Sequence, residues 1–207
     1  MKIAVIGGTR GIGLALVHAA LVEGDEVTVL VRDPLSAPAL LEEARIVVGD
    51  ARDPAAVAEA VSGQDVVIDC LGTTNVLNTT SLFSTSATNL SAALKPEQLL
   101  IAVTGLGAGD SRGHCTWLYD RIFLPLVLKR IYADKDRQEA IIRESVSRWI
   151  IVRPGFLTNG PRTGRYRALT KLSGFEGGPI SRADVADFLL IQAHSQRFVG
   201  ETPMLVY

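Results

Sequence analysis

Residues 3–17 read Ile3-Ala4-Val5-Ile6-Gly7-Gly8-Thr9-Arg10-Gly11-Ile12-Gly13-Leu14-Ala15-Leu16-Val17, and their order decides the fold. A short apolar run rich in β-branched side chains predicts a strand covered on both faces. Glycines follow at once. Behind them Leu14, Val17 and Leu21 recur at helical spacing, until Gly24 offers a left-handed C-terminal cap. Gly7 permits the tight turn out of the strand, and the later glycines let the backbone approach a pyrophosphate and the helix pack close to the sheet. The N–H groups of Gly7, Gly8, Thr9, Arg10, Gly11, Ile12 and Gly13, at the positive end of the helix dipole, suit phosphate oxygens. A tight strand-to-helix turn without a ligand is the alternative. No Lys-Ser or Lys-Thr pair follows the glycines, which excludes a Walker-type phosphate loop.

Working outward, five further apolar runs predict strands: Glu26 to Val31, Arg45 to Val48, Asp65 to Cys70, Leu99 to Val103 and Trp149 to Val152. Between them lie helix starts. Asp53-Pro54 supplies a capping carboxylate and a first-turn proline. Ser181 and Asp184 open another helix, with Val185, Phe188 and Leu189 as its buried stripe. Strands alternating with helices predict one α/β domain over 1–207, a Rossmann-like doubly wound parallel sheet. The glycine-rich stretch 105–113 reads as the most flexible loop inside it.

Composition narrows the partners. The 207 residues carry 21 Lys+Arg against 22 Asp+Glu, a net charge of -1, which disfavours a nucleic-acid partner. The apolar runs are too short to span a membrane, and the first begins too early for a signal segment. Cys70 and Cys115 offer neither a disulfide framework nor a metal-ligand spacing. These features are expected of a cytoplasmic protein without a metal.

The end of the second strand selects between nicotinamide cofactors. An acid there would hold ribose hydroxyls and repel a 2′-phosphate. The strand instead ends Leu30-Val31-Arg32, and with Arg10 two guanidinium groups can grip a phosphate. NADPH is the expected cofactor. Asp33 competes as a ribose ligand or a turn-former before Pro34, and Arg32 as a solvated surface arginine. Asp50-Ala51 and Leu71-Gly72-Thr73 end the third and fourth strands, where a doubly wound sheet binds its ligands. Asp50 would accept from adenine or serve the turn.

The glycine loop, Val27-Thr28-Val29-Leu30-Val31-Arg32-Asp33, Val47-Val48-Gly49-Asp50, Gly63-Gln64-Asp65 and Leu71-Gly72-Thr73 together resemble the atypical short-chain dehydrogenases/reductases, of the flavin reductase/biliverdin reductase B type. The resemblance covers nearly the whole chain, including Arg143-Glu144-Ser145 and Arg153-Pro154-Gly155. It implies that Gly7 through Gly13 bind pyrophosphate, that Arg32 meets the 2′-phosphate and that Asp50 and Ala51 meet adenine. It further implies that Leu71, Gly72, Thr73, Thr104, Pro154, Gly155, Phe156 and Leu157 surround the ribose and nicotinamide. Two departures count. Gly105 stands where a serine is common after the fifth strand. The Tyr-x-x-x-Lys pair is absent, because Ile131, not a tyrosine, lies four residues before Lys135.

Tyr132 lies three residues before Lys135, rotated from that geometry. Lys135 reads equally as a ribose ligand and as an ion pair with Glu139. Thr104 and Lys135 are the weak catalytic candidates that remain. His18 and His194 read as core or surface, and His114 as a candidate for the substrate pocket. Arg162, Arg165 and Arg167 around Tyr166 form either the lip of a pocket for an anionic small molecule or a solvated loop. The apolar stretch 122–128 reads as core or pocket lid. The combined expectation is an NADPH-dependent reductase passing hydride to a flavin, quinone or similar conjugated ring, whose proton water can supply. The alternative is an NADP-binding sensor or assembly protein without turnover.

Overall fold

The glycine-bearing strand lies in the middle of the sheet. In the computed structural model, which describes residues 1–73, 80–114, 128–173 and 177–207, β1 (Lys2–Ile6) pairs in parallel with β2 (Glu26–Val31) on one side and β4 (Val66–Asp69) on the other. With β3 (Arg45–Val48), β5 (Leu99–Val103) and β6 (Trp149–Pro154), the order runs β3-β2-β1-β4-β5-β6. The connections therefore reverse direction between β1 and β4, and a crevice opens there at the carboxyl ends of the strands. All six expected strands are present.

Alternation along each strand sends side chains to two separate cores. Ile3 and Val5 join Val29, Ile68 and Ile101 beneath α1 (Gly11–Val22) and α5 (Arg182–Ser195). Ala4 and Ile6 join Val67, Leu100 and Ile151 beneath α2 (Pro54–Val61), α3 (Leu82–Ala93) and α4 (Lys129–Ser145). Each fully buried aliphatic side chain of this kind contributes ~1.5–3 kcal/mol. The helix starts are as expected: Asp53 accepts the Ala55 N–H at 2.9 Å, and Ser181 Oγ accepts the Asp184 N–H at 3.0 Å.

The buried stripe of α1 differs from the expected one. Ile12, Leu16, Val17 and Ala20 are buried, while Leu14 and Leu21 are half-buried at the margin. Packing against α5 as well as the sheet lets α1 be apolar nearly all round, so one stripe could not be picked out. Four short strands also went unread. β7 (Phe156–Thr158) pairs in parallel with β9 (Pro179–Ser181), and β10 (Met204–Val206) lies between β6 and the antiparallel edge strand β8 (Arg167–Leu169). Three residues are too few to show a period.

The stretch 105–113 is a built loop, not a slack one. Leu106, Ala108 and Ser111 are buried. Ser111 Oγ donates to the Ala108 carbonyl at 2.6 Å and accepts the Gly107 N–H at 2.9 Å. Asp136, on α4, accepts the Gly109 N–H at 2.8 Å.

Candidate active site

A cavity of about 730 Å³ runs along the carboxyl ends of β1 to β6. Gly7, Thr9, Arg10, Gly11 and Ile12 form its central wall. A Cβ on Gly7, whose φ is +86°, would stand 2.9 Å from the Cys70 carbonyl, so only glycine lets the loop lie against β4. Gly8 and Gly13, expected beside the pyrophosphate, lie off the cavity lining. A Cβ on Gly13 would stand 2.2 Å from the Gly7 oxygen, and one on Gly8 2.7 Å from Val29 Cγ1. They seat α1 against the sheet. Arg10, at the N-cap, is extended and makes no side-chain cap, and the first turn holds no acid. Among the described residues, neither the N-cap side chain nor a first-turn acid accepts from the first N–H groups of α1, as an anion-binding helix start requires. The residues present fit a pyrophosphate.

Arg32, Asp50 and Ala51 line the end towards β2 and β3. The Arg32 side chain is 75% exposed, with Nη1 4.0 Å from Asp50 Oδ2. Asp33 turns to the chain: its carboxylate accepts the Leu35 N–H at 3.1 Å and caps the turn at Pro34. Asp50 is held by Arg52, whose Nε and Nη2 each donate at 2.9 Å, joined by the Arg52 backbone N–H at 2.9 Å. Those bonds from Arg52 keep the Asp50 carboxyl at about 2. Its oxygens are already engaged, so any adenine contact has only the remaining lone pairs. The Ala51 carbonyl accepts from Asn89 at 3.0 Å.

The opposite end is apolar. Leu82 and Phe83 of α3, Leu106, and Ile131 and Tyr132 of α4 wall it, with Leu128 just before α4. Leu71, Gly72 and Thr73 lead into it, and Pro154, Gly155, Phe156 and Leu157 flank it. Thr104 and Lys135 lie at its floor. Lys135 Nζ donates to the Thr104 carbonyl at 2.5 Å and sits 4.6 Å from the centroid of the Phe83 ring. Burial pulls its ammonium down to about 8, against the pull of Asp69, Glu139 and Asp134.

The expected Lys135–Glu139 ion pair is not formed. Glu139 is taken by Arg153, with Nε at 3.0 Å and Nη2 at 2.6 Å, and it accepts the Thr104 hydroxyl at 2.8 Å. The proton of the Thr104 hydroxyl is thus committed to Glu139. Tyr132 donates to the Leu106 carbonyl at 2.9 Å. Asp69 at the end of β4 is buried. Burial drives its carboxyl up to about 6, opposed by the Leu71 N–H at 3.0 Å, by Lys135, and by Gln138 Nε2 at 3.0 Å.

Arg182, Leu82, Phe83 and the Arg153–Glu139 pair carried no sequence signal. Arg182 opens α5 and lines the cavity, and its Nη1 donates to Asn159 Oδ1 at 2.8 Å. A Cβ on Gly11 would lie 3.8 Å from its Cδ and Nε. No motif marks an arginine that merely follows a capping serine. Conversely, Arg162, Arg165, Arg167 and His114 lie off the cavity lining. Arg162 and the Tyr166 hydroxyl bind Asp187 at 2.6 and 2.9 Å, and Arg167 binds the Tyr207 carbonyl. His18 is exposed, and His194 meets Asp25 at 3.0 Å. Cys70 lines the cavity, its thiol pushed up by burial and by Asp69. Cys115 and 122–127 lie outside the described residues. Among the described residues, no helix is long and apolar enough to cross a membrane.

Strand order, glycine loop and cleft define a Rossmann-like α/β protein with room for a dinucleotide and a ring beside it. The chain belongs to the NAD(P)H-binding family, whose model matches residues 7–196. It is similar in fold to ChuY, an anaerobillin reductase from Escherichia coli O157:H7, with a TM-score of 0.80 and 23% identity over 100% of this chain and 97% of that one. It is similar to a provisionally assigned NADH-flavin reductase from Streptococcus pneumoniae TIGR4, with a TM-score of 0.78 and 25% identity over 100% and 99% of the two chains. A short-chain dehydrogenase/reductase from Veillonella parvula DSM 2008 has a TM-score of 0.80 at 17% identity, over 99% and 93%.

Proposed function

We propose that the protein is an NADPH-dependent reductase that passes hydride to a flavin, a quinone or a similar conjugated acceptor. Membership of the NAD(P)H-binding family, and reductases among the similar structures, support the oxidoreductase class. The observation that carries the finer reading is the polarity of the cleft along its length. Backbone N–H groups, Arg10 and Arg32 furnish one end, and Phe83, Leu82, Leu106 and Ile131 the other.

In this reading Gly7 and Thr9 to Ile12 bind the pyrophosphate. Arg32 and Arg10 grip the 2′-phosphate, which the turn-bound Asp33 leaves unopposed. Asp50 and Ala51 border the adenine. Leu71, Gly72, Thr73, the Thr104 backbone, Lys135 and Pro154 to Leu157 enclose the ribose and nicotinamide. NADPH supplies the hydride when bound. The chain's own part is to stack the acceptor ring in the apolar end and exclude water, where orientation is worth ~7–11 kcal/mol at best.

The test is anaerobic oxidation of NADPH and NADH against FMN, riboflavin, a benzoquinone, a biliverdin and an aldehyde, with both cofactors also titrated by calorimetry. Turnover with a ring acceptor but not the aldehyde is the expected outcome. Tight NADPH binding without any turnover would replace the reductase with a sensor, and absence of binding would remove both.

A further inference from the structure

Reduction of a ring by hydride needs a proton as well as two electrons, and the groups at the floor of the cleft differ sharply in their ability to give one. Thr104 has its hydroxyl on Glu139. Tyr132 points its hydroxyl at the Leu106 carbonyl, and a Cβ on Gly105 would be 3.0 Å from that oxygen. Cys70 is a half-buried thiol whose proton is held more tightly beside Asp69. Arg182 has its Nη1 on Asn159 Oδ1. Lys135 carries three N–H donors on a flexible stem, one of them spent on Thr104, and its ammonium faces the Phe83 ring that walls the ring-sized space.

We infer that Lys135 is the proton donor of this reductase, acting directly on the acceptor rather than through a tyrosine. The inference rests on the reductase reading. The hydride from NADPH adds two electrons to the acceptor ring. The N–H bond of Lys135 breaks, an O–H or N–H bond forms on the reduced ring, and the neutral amine regains a proton from water. The sum is acceptor, NADPH and one proton giving reduced acceptor and NADP.

The charges facing Lys135 explain why it can let its proton go. Asp69 approaches from β4, and Asp134 and Glu139 from its own helix. Arg153 of β6 neutralises Glu139, and Arg137 neutralises Asp134 at 3.0 Å. Asp69 is itself driven up to about 6 by burial. The acids that would lock the ammonium are thus spent on other partners, and burial dominates. A general acid works best with a pKa near the working pH, and its presence is worth ~10²–10⁴ in rate.

Two measurements test this. The chain holds five lysines, so carbon-13 labelling at lysine Cε resolves their titration by NMR in the ligand-free protein. One signal, absent in Lys135→Arg, is expected to titrate at about 8, well below the ordinary lysine range. With a benzoquinone acceptor, wild-type kcat should fall as pH rises through about 8. Lys135→Met should lower kcat ~100-fold and abolish that limb. Lys135→Arg should keep NADPH affinity by calorimetry yet fail to restore kcat, because guanidinium holds its proton. Tyr132→Phe should retain the limb. A Lys135 signal that titrates in the ordinary lysine range, full kcat in Lys135→Arg, or loss of the limb in Tyr132→Phe would overturn the role while leaving the reductase reading standing. A wild type that oxidises no NADPH would overturn the reductase reading instead.

Discussion

Arg32 is the residue at which cofactor choice is most open to measurement. Its side chain is three-quarters exposed, and among the described residues its ion pair is a long one, with Asp50. Arg32→Ala should therefore weaken NADPH by ~1.5–3 kcal/mol, the range for hydrogen bonds between charged groups, and leave NADH nearly unchanged. Equal loss for both in calorimetry would make the arginine structural. Arg32 and the glycines were legible because their meaning is local: a strand end and a turn lie next to each other in the sequence. Lys135 was half legible. Its neighbour at i+4 is Glu139, but the partner that wins Glu139 is Arg153, brought in on strand β6. No local spacing announces that competition.

Between elements, that pair ties α4 to β6 directly beneath the cleft. Arg153 and Glu139 are both almost wholly buried, and Arg153 also binds Asp110 at 2.5 Å. Breaking one side leaves a charge in the interior, so Arg153→Met should cost ~3–5 kcal/mol in urea unfolding. Arg153→Met combined with Glu139→Gln should recover part of that loss. If the double variant is no better than the single, the cost lies in packing and not in the stranded carboxylate. Elements with full runs or caps, such as β1 to β6, α2 and α5, could be read from sequence. The short strands β7 to β10 could not, because their pairing is set by where the longer strands leave open edges.

Across the whole molecule, a dinucleotide in the cleft would touch both halves of the sheet, from Gly49 after β3 to Gly155 after β6. Ligand that binds only the folded chain stabilises it by ~2.7 kcal/mol at a hundredfold excess over Kd. For a protein of this size that is ~5–10 °C in Tm. Saturating NADP should produce such a rise by calorimetric melting, and a Tm indifferent to NADP would mean that the cleft is not a dinucleotide site. The doubly wound order and the position of this cleft followed from alternating strands and helices.

One feature at the far side of the sheet bears on how the chain assembles. Among the described residues β8 is hydrogen-bonded only to β10, and β10 is also the strand that covers the edge of β6. Residues 204–206 are made some thirty-five residues after β8. Until they emerge from the ribosome, the described residues leave β6 with an open edge and β8 without its partner strand. The Tyr207 hydroxyl, which bonds Asp184 at 2.6 Å beside the start of α5, is missing over the same interval. Synthesis of this protein therefore passes through a nearly finished sheet with one sticky border, the form in which a chaperone would meet it and in which a prematurely stopped chain would clump.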